Sequence, residues 1–145
     1  MAISQPQIGG VHHVDISVTN LEGRTAWYGE LLGMVELFSH RNDERGYVVR
    51  YLAEPTSGIV MGFEQHDANP GTPFDERRVG LDHLSWSVQG REHLDAWLER
   101  LDERGIPHSG ISEHEMWDVL VFRDPDNVQL EFIYLKPAAA SLLES

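Results

Sequence analysis

Gly80-Leu81-Asp82-His83-Leu84-Ser85-Trp86-Ser87-Val88 alternates strictly between apolar and polar side chains. Leu84, Trp86 and Val88 fall on one face of a strand and His83, Ser85 and Ser87 on the other, the period-2 signature of a strand buried on one side. The pattern recurs near the start in His13-Val14-Asp15-Ile16-Ser17-Val18, where Val14, Ile16 and Val18 oppose His13, Asp15 and Ser17. A histidine leads both polar faces. The two histidines are 70 residues apart, and the same offset matches Ala26 to Ala96, Trp27 to Trp97, Leu31 to Leu101, Val49 to Val119 and Pro55 to Pro125. Likeness between short amphipathic strands does not account for tryptophans matched in the helices between them. The chain therefore reads as a duplicated supersecondary unit whose copies pack around a shared core and site.

Working outward, the first copy runs as a strand over Val11 to Val18, a cap at Thr19 or Asn20, and a helix carrying Ala26, Trp27, Leu31 and Leu32 that Gly33 ends. Strands follow over Val35 to His40, Tyr47 to Ala53 and Ile59 to Gln65. Asp67 to Val79, rich in Asn, Gly, Pro and charge, reads as a linker. The second copy repeats the order: strand Leu81 to Val88, helix Glu92 to Arg104 ended by Gly105, then strands near Pro107 to Ser112, Trp117 to Phe122 and Val128 to Leu135. Asp124-Pro125-Asp126-Asn127 makes the last turn. The tail from Pro137 is expected to fray. The expectation is one α+β domain over residues 1–145, with βαβββ modules at about 10–66 and 80–136.

Composition narrows the function. The chain has 145 residues, the length of one domain, so two half-size repeats are expected to share a core. A net charge of −13 without a basic stripe disfavours nucleic acid and anionic membranes as partners. With no cysteine, disulfides, thiolate nucleophiles and cysteine-held zinc are excluded, and a metal must be bound by nitrogen and oxygen. The first ten residues lack the basic and apolar regions of a secretory leader, and no apolar run approaches the ~20 residues of a membrane span, so a cytoplasmic location is expected.

The chemistry gathers on the polar faces. Glu131 sits among Leu130, Phe132 and Tyr134, and a carboxylate centred in an apolar strand is costly unless a cation or an arginine meets it. His13 and His83 lie on the corresponding faces, and two imidazoles with one carboxylate form a set suited to iron or manganese with positions left open. His66 and His114, near strand ends, are candidate proton carriers. His93 and His12 read as structural. Trp117, Tyr47 and Tyr51 either line an aromatic pocket or fill the interior.

In His13-Val14, the helix end Leu31-Leu32-Gly33, His83-Leu84 after Gly80, and Phe122-Arg123-Asp124-Pro125-Asp126-Asn127 leading to Leu130-Glu131, the chain resembles the vicinal oxygen chelate superfamily of glyoxalases, bleomycin-resistance proteins and extradiol dioxygenases. The resemblance implies two βαβββ modules curling into an open, cupped barrel around a divalent metal that holds two neighbouring substrate oxygens, with ligands at His13, His83 and Glu131. It implies Fe(II) or Mn(II), with Zn or Ni as alternatives, and a homodimer acting on a small molecule. The fourth ligand of glyoxalase-like enzymes would fall 70 residues before Glu131, at Met61, a poor ligand for such an ion. Three ligands suit a ring-cleaving dioxygenase, although the tyrosine that such enzymes usually carry ten residues before the ligand Glu is Val121 here. The leading expectation is a dioxygenase-like enzyme. A glyoxalase-like lyase or isomerase and a metal-free drug-sequestering protein are the alternatives.

Overall fold

The computed structural model describes residues 5–139. Two compact units divide between Thr72 and Pro73. The first holds β1 (Val14–Ser17), α1 (Leu21–Leu32), β2 (Val35–Asn42), β3 (Tyr47–Ala53) and β4 (Val60–His66). The second repeats the order as β5 (His83–Val88), α2 (Arg91–Glu103), β6 (His108–Glu113), β7 (Trp117–Arg123) and β8 (Gln129–Leu135). The α+β class and the two tandem βαβββ-like modules stand as expected from the repeat.

In the first unit the sheet order is β1-β4-β3-β2, with β1 parallel to β4 and the other pairs antiparallel. Asn20 starts α1: its Oδ1 accepts from Gly23 N at 2.9 Å, satisfying a helix donor that would otherwise lack a partner. Gly33 ends it at φ 70°, the left-handed conformation that costs glycine least. The helix buries Leu21, Tyr28 and Leu31 against one face of the sheet, and the Tyr28 ring centroid lies 4.7 Å from that of Phe63. Full burial of a side chain such as Phe63 is worth about 1.5–3 kcal/mol. Arg50 reaches across from β3 to donate to Thr25 Oγ1 at 3.0 Å and Glu22 Oε2 at 3.1 Å, fastening sheet to helix.

The second unit repeats this with the order β5-β8-β7-β6. Trp97 of α2 stacks on Phe132 at 4.3 Å and 13°, with Leu94 and Leu101 buried on either side. Asp118 is buried too, and its carboxylate meets Lys136 Nζ at 2.9 Å and Arg91 Nη1 at 3.2 Å. The ammonium of Lys136, then the guanidinium of Arg91, hold Asp118 below the usual carboxylate range. The later part of the expected linker is pinned: Phe74 N donates to Asp126 O at 2.7 Å, and Arg123 pairs with Glu76 at 2.7 Å. Asp124 Oδ1 accepts from Asp126 N and Val128 N, building the turn that puts Asn127 at φ 71°. In the tail, Ala139 N donates to Lys136 O and Ala139 is buried, while the rest of the expected fraying lies outside the described residues.

The cupped barrel is corrected. The strands form two separate four-stranded sheets, and among the described residues no strand of one pairs with a strand of the other. Closing a sheet requires hydrogen-bonded partners for its edge strands, and alternation along each strand specifies which face is buried but not whether an edge is paired. Among the described residues no helix is long and apolar enough to cross a membrane.

Candidate functional site

In the second unit β5 runs parallel to β8 with Ser85 opposite Glu131 and His83 opposite Gln129. His83 and Glu131 are thus diagonal neighbours on one face, while Leu84, Trp86, Leu130 and Phe132 occupy the face that α2 covers. His83 Nε2 lies 3.7 Å from Glu131 Oε1. The other ring nitrogen, Nδ1, is 2.7 Å from Asp82 Oδ1, a contact that orients the imidazole. Two donors each ~2.1 Å from one ion stand about 3–4 Å apart, so the pair is spaced for a shared cation. Glu131 is flanked across the strands by Ser85 and Val121. The residue ten before Glu131 is therefore its direct neighbour on β7, and there it offers no hydroxyl.

The first unit presents a different set on the equivalent face. His13 stands at the entry to β1, exposed, with its Nδ1 2.8 Å from His12 Nδ1. Its Nε2 is 3.8 Å from Asp15 Oδ1, two residues on along the same face. Tyr51 donates to Asp15 Oδ2 at 2.9 Å, and its ring meets that of His13 edge-on at 5.7 Å. Burial, and then the hydrogen bond to Asp15, push the Tyr51 phenol up to about 12. Glu64, on the same face, is raised by burial and then by the charge of Asp15. Its Oε2 lies 3.4 Å from His66 Nε2, and the His66 ring packs on Tyr47.

Met61 is corrected. It pairs with Val14 and Leu52 and is 1% exposed, two residues from Phe63 on the helix-covered face, so its side chain belongs to the core. Gly62 takes the position equivalent to Glu131, since Asp15 opposes Gly62 as Ser85 opposes Glu131, and Tyr51 opposes Gly62 as Val121 opposes Glu131. The turn joining Ala53 to Val60 is one residue longer than that joining Arg123 to Gln129, which changes the offset from 70 to 69 on the last strand of each module. A side chain at 62 would collide: a Cβ there lies 2.1 Å from Asp15 Oδ1 and 2.8 Å from Tyr51 Cε1.

His114 lies in the β6–β7 turn, where its carbonyl accepts from Lys136 Nζ and its ring tilts against Trp117. Trp117 pairs with Leu135, four residues along β8 from Glu131, or roughly 13 Å at strand rise, so this histidine stands apart from the His83–Glu131 pair. Of the aromatic candidates, Tyr51 is tied to Asp15, Tyr47 to His66, and Trp117 is 41% exposed. Asp15 is the neighbour of His13 that sequence reading passed over, although its place two residues after His13 puts both on one strand face. Among the described residues no group of three His, Asp or Glu side chains is gathered for a metal. The donors come in pairs, all nitrogen and oxygen, and one, Asp15 Oδ1, is a buried acceptor without a hydrogen bond. That donor chemistry fits a divalent cation.

The model of the Glyoxalase/Bleomycin resistance protein/Dioxygenase superfamily matches residues 10–132. The chain belongs to this superfamily. Its members often bind metals and small substrates. The chain is similar to a solved glyoxylase/bleomycin resistance protein/dioxygenase domain from Frankia sp. EAN1pec, at 34% identity and TM-score 0.83 over 90% of this chain and 95% of that one. A glyoxalase family protein from Enterococcus faecalis is 25% identical, with TM-score 0.70 over 86% and 97% of the two chains. Among curated proteins, MhqA of Bacillus subtilis (strain 168), provisionally named a ring-cleaving dioxygenase, is 27% identical over 135 residues. The match covers 86% of this superfamily member but 40% of that relative's length.

Proposed function

We propose that this protein is a divalent-metal enzyme that binds a small substrate through two vicinal oxygens, with His13, His83 and Glu131 as metal ligands and Fe(II) or Mn(II) as the ion. The observation that carries the reading is the 3.7 Å approach of His83 Nε2 to Glu131 Oε1, with Nδ1 pinned by Asp82. His13 joins them on the strength of the repeat. When bound, such an ion supplies Lewis-acid chemistry and a template for adjacent oxygens. The residues themselves do the rest: Asp82 holds the imidazole in register, and Glu131, with 14% of its side chain exposed, offers a carboxylate largely shielded from water.

With three protein ligands the reaction is ring cleavage of extradiol type, a reading supported by the similarity to MhqA. A lyase or isomerase reaction is the second reading, favoured by the Asp15 carboxylate beside His13. The exposed edge strand β2, with Val35, Leu37 and Phe38 each about half exposed, supports a homodimer, and a monomeric mass by light scattering over a range of concentrations would refute that part. The principal test is metal content after anaerobic purification, followed by oxygen uptake of the Fe(II)-loaded protein on a panel of catechols. Retained metal that His83→Ala abolishes, with uptake on at least one catechol, is the expected outcome. Retained metal without uptake, but with turnover of a thiohemiacetal or an epimerisable substrate, replaces the first reading by the second.

A further inference from the structure

We propose that Asp15 is a metal ligand, contributed through Oδ1 by the first module beside His13 Nε2. The inference rests on the metal reading above and adds a donor to it. Its first support is spacing. His13 Nε2 and Asp15 Oδ1 are 3.8 Å apart, and His83 Nε2 and Glu131 Oε1 are 3.7 Å apart, so each module presents one imidazole nitrogen and one carboxylate oxygen at nearly the same separation.

The second support is an unmet acceptor. Asp15 Oδ2 takes the Tyr51 hydroxyl, whereas Oδ1 is shielded from solvent and accepts no hydrogen bond. Its ion-pair neighbour is His13, and the Glu64 carboxyl on the same face adds further negative charge beside it. A buried carboxylate oxygen left without a donor is costly, and a cation held by His13 would meet it. Tyr51 then acts on a ligand's second oxygen, as Asp82 acts on the second nitrogen of His83.

The third support is room. Gly62 stands where Glu131 stands in the second module, and Asp15 Oδ1 fills the space that a side chain at 62 would take. The carboxylate is supplied from β1 rather than from β4.

The test titrates Mn(II) into the metal-stripped wild type and variants, reading affinity by chelator competition and bound water by water-proton relaxation. Asp15→Asn is nearly isosteric and still accepts from Tyr51, so the strand is retained. It is expected to weaken Mn(II) binding by roughly 100-fold, against ~10-fold or less for Tyr51→Phe. Replacing the ligand by water is expected to add one water per bound ion and to raise relaxation accordingly. Gly62→Ala, which keeps the carboxylate but displaces it, is expected to show the same direction of change. Wild-type affinity and relaxation in Asp15→Asn would overturn the proposal. Should His83→Ala bind Mn(II) as tightly as wild type, the metal reading itself falls; a loss there with none in Asp15→Asn removes Asp15 alone.

Discussion

The two modules carry the same pair of donors in different ways. In the second, histidine and carboxylate come from separate strands, β5 and β8, and the histidine is braced by the adjacent Asp82. In the first, both come from the entry and body of β1, and the carboxylate is braced from β3 by Tyr51. The tyrosine absent at Val121 is present at the equivalent position 51, where its partner is Asp15 over Gly62. A duplicated fold thus sets a histidine and a carboxylate at nearly the same separation from different strand positions. The modules also differ in what they bury. Asp118 takes a core place where the first module has Val48, and Glu64 faces the site where the second has Ile133.

The comparison breaks most visibly at Met61. Met61→Ala is expected to cost about 2–5 kcal/mol of stability in denaturant unfolding, the range for emptying a buried site, with Mn(II) affinity unchanged. An altered metal affinity at unchanged stability would return Met61 to the site face and undo the equivalence of Gly62 with Glu131. Asp118→Asn sharpens the contrast in buried charge. Losing the carboxylate that Lys136 and Arg91 bond is expected to cost roughly 1.5–3 kcal/mol near neutrality. Because the folded group is held below its ordinary 3.8, its contribution is present above that pH and is lost as pH falls through the folded value. The variant should therefore show a flatter acid limb in a melting series.

Glu64→Gln gives the smallest effect, with the opposite sign. Burial and Asp15 raise Glu64 above its ordinary 4.5, so its contribution is full below that pH and is lost as pH rises through the folded value. The variant should be more stable than wild type at pH 7–8, by less than about 1 kcal/mol for this partly exposed group, and the gain should vanish below pH 4.5. A gain that persists in acid would mean that Glu64 acts through packing and not through its charge.

Much of this protein is written along the chain. Alternation in His83 to Val88 and the 70-residue offset determine two βαβββ modules, and the same alternation puts His83 and Glu131 on faces that can meet. These features are legible because strand periodicity and helix capping act over a few residues, within reach of local pattern. Tertiary structure decided the rest: the two sheets, which among the described residues pair no edges with each other, the Asp15–Tyr51 contact, and the exchange of Met61 for Gly62 at the position equivalent to Glu131. The last of these has a simple cause. Side chains alternate faces at every residue, so one additional residue in the turn before β4 shifts its correspondence with β8 by one position: Met61 is buried as Leu130 is, and Gly62 takes the place of Glu131. An offset carried over from the other strands does not register that change, because it is the hydrogen-bonded register between neighbouring strands that sets which face each residue takes.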